Sequence, residues 1–338
     1  MNIKKRILLL LLVLTMVFSI PISTVQASNV DELPLSAQVS KTISYNNYGN
    51  VLEKLSLLNS NNQIIAYCLN FEKAYLIYDI NGNVIEHCGE AQSIYNASNN
   101  CYYGGPLQYF EKANGAYINL NSQSAVPEEH FTELSNNFSE SRKNITTFDY
   151  SPYYAETTKT FYTSGTPRTL NYNTKGTCGS LAATILLFYY HDYVYSPYVA
   201  SGLVNSPRAL HNVLIPLIEI GGVAGNGSSY TTLKNGINKY LSSVNLTQSA
   251  TIIAKANVSS YGFTKIYNSN KPFILGLYSG SSSSTWAIDH WVVAYGVRSH
   301  YINDSLLTSR EFIVNNGWGS NNVFITYNSS YIDGAVGI

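Results

Sequence analysis

The order of regular elements in the C-terminal half of the chain constrains its fold more than any other sequence feature. Three segments with helical periodicity come first, at residues 178–193, 208–220 and 231–241. Four strand-like segments follow them, at residues 273–278, 290–297, 311–314 and 323–327. Helices followed by a group of strands are typical of α+β proteins. We therefore predict an α+β domain, with a helix packed against an antiparallel sheet, over residues 151–338.

Residues 28–120 predict a second, smaller α+β unit. Alternating apolar residues indicate strands at residues 63–70, 74–79 and 84–86. Asn50 and Glu53 fit a capping box, so we expect a short helix at residues 52–58.

Residues 121–150 separate these two units. The segment is polar and lacks sustained periodicity, although residues 130–136 allow a short helix. Polar clusters between periodic segments are typical of connections. We interpret residues 121–150 as a linker.

The first 27 residues have the layout of a secretory signal peptide. Basic residues 4–6 precede an apolar run, and residues 25–27 (Val-Gln-Ala) offer a small-x-small cleavage pattern. We expect this segment to be removed and the rest of the chain to be secreted, without membrane association after cleavage.

The net charge of zero conceals two unlike halves. The chain has 20 basic and 20 acidic residues, which argues against nucleic-acid binding because that function requires a basic surface. Residues 28–150 contain 13 acidic and 6 basic residues, whereas residues 151–338 contain 7 acidic and 11 basic ones. The balances of −7 and +4 favour association between the two halves.

Cys178 begins the first helix of the C-terminal half and is the one cysteine in that half; the other three lie upstream. A helix N-terminus stabilises a thiolate through its unsatisfied N–H groups and its dipole. Gly176 and Gly179 flank the cysteine, and we expect them to leave room for a substrate backbone. A buried, inert cysteine is the alternative.

Two later segments supply the partners that a thiol nucleophile needs. His290 opens a predicted strand, and Asn315 and Asn316 end another strand before a Gly-Trp-Gly turn at residues 317–319. An imidazole takes the thiol proton, and a third group fixes the orientation of the imidazole. We expect the indole of Trp318 to shield the contact between the imidazole and the asparagine from water.

These three motifs, in this order, resemble those of the papain-like cysteine peptidases. The chain is most similar in layout to secreted bacterial streptopain-type enzymes and to double-glycine-peptidase-like enzymes. The resemblance implies a Cys-His-Asn site made of Cys178, His290 and either Asn316 or Asn315, of which we favour Asn316. It also implies that the N-terminal segment is a pro-segment, an intramolecular inhibitor of the catalytic half.

The chain departs from the papain-like pattern at the oxyanion hole. Papain relatives usually have Gln six residues before the cysteine, and that position is Tyr172 here. Asn173 is the nearest amide donor, and we expect it to act together with the backbone N–H of Cys178.

The function expected from these residues is that of a secreted cysteine endopeptidase, made as a zymogen, with a peptide or protein as its substrate. The alternatives are a Cys-dependent amidase or transferase, and a non-catalytic secreted binding module on a degenerate peptidase fold. No H-E-x-x-H, C-x-x-C or Walker-type sequence is present, so we predict neither a metal nor a cofactor.

Overall fold

Helices and a large, mostly antiparallel sheet make up the α+β fold that the order of elements predicts. The computed structural model describes residues 35–95, 100–143, 156–172, 176–277, 290–328 and 331–338. The predicted signal peptide and Asn173 lie outside these ranges. Residues Leu33–Ile338 form one compact unit. In the described part of the chain, no helix has the length and apolar character needed to cross a membrane.

The described part of the N-terminal region contains two helices and eight strands, and these strands form one side of the sheet. Its elements are α1 (Ala37–Asn46), β1 (Glu53–Leu58), β2 (Ile64–Asn70), β3 (Tyr75–Asp79), β4 (Val84–Cys88), β5 (Cys101–Gly105), β6 (Gln108–Ala113), β7 (Ala116–Asn119), β8 (Ser124–Val126) and α2 (Glu128–Lys143).

The described C-terminal region contains the three predicted helices and then the four predicted strands, and also four elements that were not predicted: a strand before the helices, a strand and a helix between the two groups, and a final strand. Its elements are β9 (Glu156–Tyr162), α3 (Cys178–Tyr193), α4 (Pro207–Ile218), α5 (Tyr230–Ser243), β10 (Thr251–Ala254), α6 (Val258–Tyr267), β11 (Phe273–Leu277), β12 (His290–Ile302), β13 (Leu306–Asn315), β14 (Val323–Thr326) and β15 (Ile332–Gly337).

Strand β1 replaces the helix predicted at residues 52–58, so that prediction is wrong. Leu57 is fully buried and its neighbour Ser56 is exposed, which is the alternation of a strand. β1 pairs along its length with β2. Pairing with a neighbouring strand satisfies the backbone and buries Leu57, and this outweighs the local capping signal at Asn50.

The segment interpreted as a linker contains strand β8 and the 16-residue helix α2. Phe131, Leu134 and Phe138 of α2 are buried. Their spacing of three and four residues places them on one helix face, and the ring of Phe131 stacks on Tyr117 with centroids 4.0 Å apart. This sparse apolar stripe is the helical signal that the polar composition of the segment concealed.

The described strands join into a single sheet in the order β10-β15-β11-β12-β13-β14-β4-β3-β2-β1-β5-β6-β7-β8, and β9 pairs with the second half of β12. All pairs are antiparallel except β1 with β5. β4 hydrogen-bonds to β14, so strands from the N-terminal and C-terminal regions share this sheet.

The central strand β12 separates two apolar cores and thereby positions α3. Trp291 and Val293 lie in a core with α3, α4 and α5, whereas Val292 and Ala294 lie in a second core with α6. This alternation is that of a strand buried on both faces. It fixes the start of α3 next to the start of β12.

Candidate active site

Helix α3 spans Cys178–Tyr193, the bounds that the sequence predicts. Residues Cys178–Tyr190 are all buried, which is expected of a helix that is apolar on every side. The Cys178 residue is 7% exposed and lies in the first turn of α3, after the N-cap Thr177. The N-cap side chain makes no capping hydrogen bond, so the first N–H groups of the helix are open to other partners.

The glycines beside Cys178 make room for protein rather than for substrate, which corrects our expectation. A Cβ added to Gly176 would lie 2.8 Å from the carbonyl oxygen of Gly225, and Gly176 has a φ of +60°. A Cβ added to Gly179 would lie 1.9 Å from Ser228 Oγ. The loop after α4 therefore packs directly on the start of α3, and this close approach requires glycine at both positions.

His290 is the first residue of β12 and is 1% exposed. Its Nε2 donates a hydrogen bond to the backbone carbonyl of Asn316 at 2.9 Å. The indole of Trp318 stacks on the imidazole, with ring centroids 3.7 Å apart and an interplanar angle of 11°. The other ring nitrogen, Nδ1, is buried and has no hydrogen-bond partner among the described residues. The imidazole is thus held by one nitrogen and one face, with its second nitrogen free to accept a proton.

The side-chain amides of the two asparagines hold the turn that follows β13. Asn316 Oδ1 accepts hydrogen bonds from the backbone N–H groups of Trp318 at 2.9 Å and Ser320 at 3.1 Å. Asn315 Oδ1 accepts from Gly317 N–H at 3.0 Å, and its Nδ2 donates to the carbonyl of Arg168 at 3.2 Å. These bonds shape the turn so that its Asn316 carbonyl meets His290.

The start of β12 lies beside the Cys178 thiol, although no hydrogen bond joins the thiol to the His290 imidazole among the described residues. The backbone N–H of Trp291, the residue after His290, hydrogen-bonds to the Cys178 thiol. A Cβ on Gly317 would lie 3.7 Å from Leu181, in the first turn of α3. The three sequence motifs therefore converge on one corner of the fold.

Burial favours the neutral forms of both reacting groups. It raises the pKa of the Cys178 thiol to about 12, the nearby charge of Glu219 adds to this increase, and three backbone N–H groups oppose it. Burial lowers the pKa of His290 to about 3, against the hydrogen bond to Asn316. The resting site therefore holds a thiol and a neutral imidazole.

Three residues that the sequence analysis did not assign to the site surround the start of α3. Ser180 N–H donates to the carboxylate Oε1 of Glu219 at 3.0 Å, and Ser180 Oγ lies 3.0 Å from Nε2 of His211. Glu219 follows the end of α4 and is 39 residues from Ser180 in sequence. Sequence spacing gives no signal for such a contact.

Tyr172 occupies the position at which papain relatives have glutamine. Its ring lies beside His211, with centroids 5.5 Å apart, and its hydroxyl is buried without a hydrogen-bond partner among the described residues. Burial raises its pKa to about 12. Asn173, the predicted oxyanion-hole donor, lies outside the described residues.

The described cysteines and acidic residues form no metal site. Cys68, Cys88, Cys101 and Cys178 are all buried, and none forms a disulfide among the described residues. No group of three or more His, Cys, Asp and Glu side chains is arranged to hold a metal ion within the described ranges.

No protein-family model matches the chain, and a search of curated proteins gives no significant match. The papain-like resemblance of the three motifs therefore stays a prediction.

Proposed function

We propose that the chain is a secreted, papain-like cysteine endopeptidase that uses Cys178 as its nucleophile. The observation that supports this proposal is the arrangement of His290. Its Nε2 donates a hydrogen bond to the Asn316 carbonyl, and Trp318 covers one face of the ring. Nδ1 has no hydrogen-bond partner among the described residues, and the next residue of the strand, Trp291, contacts the Cys178 thiol. A positioned imidazole with one free nitrogen next to a thiol is what nucleophilic catalysis requires.

The proposed reaction proceeds through an acyl-enzyme. Cys178 Sγ forms a bond to the scissile carbonyl carbon while His290 Nδ1 takes the thiol proton. Because burial favours the neutral pair, this proton transfer accompanies the attack rather than preceding it. His290 then gives the proton to the leaving amine as the C–N bond breaks. Water releases the acyl group by the same steps in reverse order, and the thiol regains its proton.

An oxyanion forms in both steps and needs hydrogen-bond donors. The backbone N–H of Cys178 and the side chain of Asn173 remain our proposed donors. If Asn173 contributes, Asn173→Ala lowers turnover about 100-fold or more, the usual cost of removing one such donor. Unchanged turnover in Asn173→Ala excludes it.

We further propose that the N-terminal region regulates this site. The described contacts that support an association are the pairing of β4 with β14 and the hydrogen bond from His87 Nε2 to Glu311 at 3.0 Å. A specific protease site engineered between residues 144 and 150 of the full chain tests inhibition. Hydrolysis that rises after cleavage supports a pro-segment, and unchanged hydrolysis supports a permanent structural region.

A non-catalytic binding module on the same fold is the second candidate. The observation that favours it is that neither asparagine amide reaches the imidazole, because both hold the turn at residues 317–319. The neutral forms favoured for Cys178 and His290 agree with it.

Thiol-directed labelling separates the two candidates. We would treat the folded protein with a peptidase inhibitor that alkylates thiols at neutral pH, and map the adducts by mass spectrometry. The endopeptidase proposal predicts that Cys178 reacts faster than the three upstream cysteines and that His290→Ala abolishes this preference. Equal, slow labelling of all four cysteines supports the binding module.

A further inference from the structure

A buried carboxylate occupies the N-terminus of the helix that carries Cys178. The Glu219 residue is 3% exposed, and its Oε1 accepts the backbone N–H of Ser180 at 3.0 Å. Its second oxygen, Oε2, is buried and has no hydrogen-bond partner in the described part of the chain. A buried carboxylate with one unpaired oxygen is costly to keep, so its place beside the nucleophile calls for an explanation.

The loop that carries Glu219 is fixed firmly against α3. Gly176 contacts Gly225, and Gly179 contacts Ser228, so the loop meets the start of the helix on both sides of Cys178. The backbone N–H of Ile220 donates to the carbonyl of Gly227 at 2.8 Å, which closes the loop. The loop that carries Glu219 is therefore anchored against the start of α3.

The charge of Glu219 acts on the same helix end as the Cys178 thiol. A helix N-terminus stabilises one negative charge nearby, and here the carboxylate already takes one of its N–H groups. The carboxylate repels a thiolate in the same turn, because both groups are negative and buried. Among the described residues, the other titratable or charged groups around this corner include His290 at the start of β12, His211 and Arg208 of α4, and Tyr172.

We propose that Glu219 is a positioning residue of the proposed reaction: its carboxylate anchors the first turn of α3 and suppresses ionisation of Cys178 until a substrate is attacked. This inference rests on the proposed function, because ionisation of Cys178 is its first step. Ser180 anchors the carboxylate through its backbone N–H and its side-chain hydroxyl. The device keeps a buried thiol unreactive toward adventitious alkylating and oxidising agents.

Alkylation of Cys178 by iodoacetamide tests this role and needs no peptidase activity. Glu219→Gln keeps an acceptor for Ser180 N–H and removes the charge, so the alkylation rate at pH 7 is expected to rise about tenfold, because the thiolate is the reactive form. Glu219→Asp retains the charge and is expected to react within about twofold of the wild type. A rate for Glu219→Gln equal to that of the wild type overturns the proposal, as does an equal increase in Glu219→Asp.

The wild-type protein provides a second test that does not depend on the folding of a variant. The midpoint of the alkylation rate against pH at Cys178 should lie above that of the same thiol in the urea-unfolded chain, where it is about 8.5. A native midpoint below the unfolded one overturns the proposal. If the protein hydrolyses no peptide but Glu219→Gln shows the expected increase, the proposed function fails and the role of Glu219 in the thiol ionisation stands.

Discussion

The backbone carbonyl of Asn316, and not its side-chain amide, accepts the hydrogen bond from His290 Nε2, at 2.9 Å. This bond assigns the ring proton to Nε2 and leaves Nδ1 to accept the thiol proton. The amide of Asn316 instead ties the turn together through Trp318 and Ser320. The asparagine therefore orients the imidazole indirectly, by fixing where its own carbonyl lies.

Asn316→Ala should weaken catalysis without abolishing it. The variant keeps the carbonyl that binds His290 and loses two hydrogen bonds within the turn, each worth about 1 kcal/mol. We expect kcat/KM for a peptide substrate to fall about tenfold, against a loss of at least 1000-fold in His290→Ala. A loss in Asn316→Ala as large as that in His290→Ala would show that the amide itself contacts the imidazole during the reaction.

Trp318→Ala should raise the pKa of His290 from about 3 toward the ordinary value of about 6.5. The indole covers one face of the imidazole, and its removal lets water reach the charged form. NMR titration of the His290 ring protons measures this change directly. Trp318→Phe is the matched control, because it retains a ring and the buried indole Nε1 has no partner to lose among the described residues. An unchanged titration in Trp318→Ala contradicts the shielding role.

Acid should destabilise the fold through His87. Burial lowers the pKa of His87, which donates from Nε2 to Glu311 and accepts from the Tyr48 hydroxyl. Below a pH of about 6.5, His87 is protonated in the unfolded chain but stays neutral in the folded protein. The free energy of unfolding therefore decreases as the pH falls.

Urea unfolding at pH 7 and pH 5 measures this effect. One such group changes the free energy of unfolding by at most about 1.4 kcal/mol per pH unit, and His87→Gln should remove this pH dependence. Equal pH dependence in the wild type and His87→Gln contradicts the account of this buried pair.

Gly179→Ala should disturb the site by steric conflict. The added methyl would lie 1.9 Å from Ser228 Oγ, so the loop or the helix start must move. We expect the free energy of unfolding to fall by about 1–3 kcal/mol and the labelling of Cys178 to change with it. Gly202→Ala is the matched control, because a Cβ at Gly202 meets nothing within 4 Å, and we expect a change within about 0.5 kcal/mol. Equal unfolding curves for the two variants would contradict the packing described at Gly179.

The sequence was most informative where local signals act alone. The helical spacing of Leu181, Ile185, Phe188 and Tyr189 after Cys178 predicted α3, and the alternation after His290 predicted the start of β12. The helix predicted at residues 52–58 failed because pairing with β2 decides the conformation there. Helix α2 was missed because three apolar residues among polar ones are a weak periodic signal.

The contacts of the site were less predictable than its members. Strand alternation assigns Asn315 and Asn316 to opposite faces, but β13 ends at Asn315 and the chain turns, so face assignment no longer applies to Asn316. The bond between Glu219 and Ser180 joins two helix ends that are remote in sequence, and the chain has no local signal for it. Such contacts arise from packing, which a sequence pattern does not encode residue by residue.

The direct measurement of the central claim is hydrolysis of an unfolded protein substrate by the protein cleaved at a protease site engineered between residues 144 and 150, and by its Cys178→Ala variant cleaved in the same way. The account predicts that the protein with Cys178 cleaves internal peptide bonds and that Cys178→Ala loses this activity at least 1000-fold. The free energy of unfolding of Cys178→Ala should differ from that of the wild type by no more than about 2 kcal/mol. The acyl-enzyme trapped by rapid acid quench should add the mass of a peptide fragment to the segment that contains Cys178. Retained hydrolysis in Cys178→Ala, or the absence of hydrolysis and of any adduct in the wild type, would contradict the account.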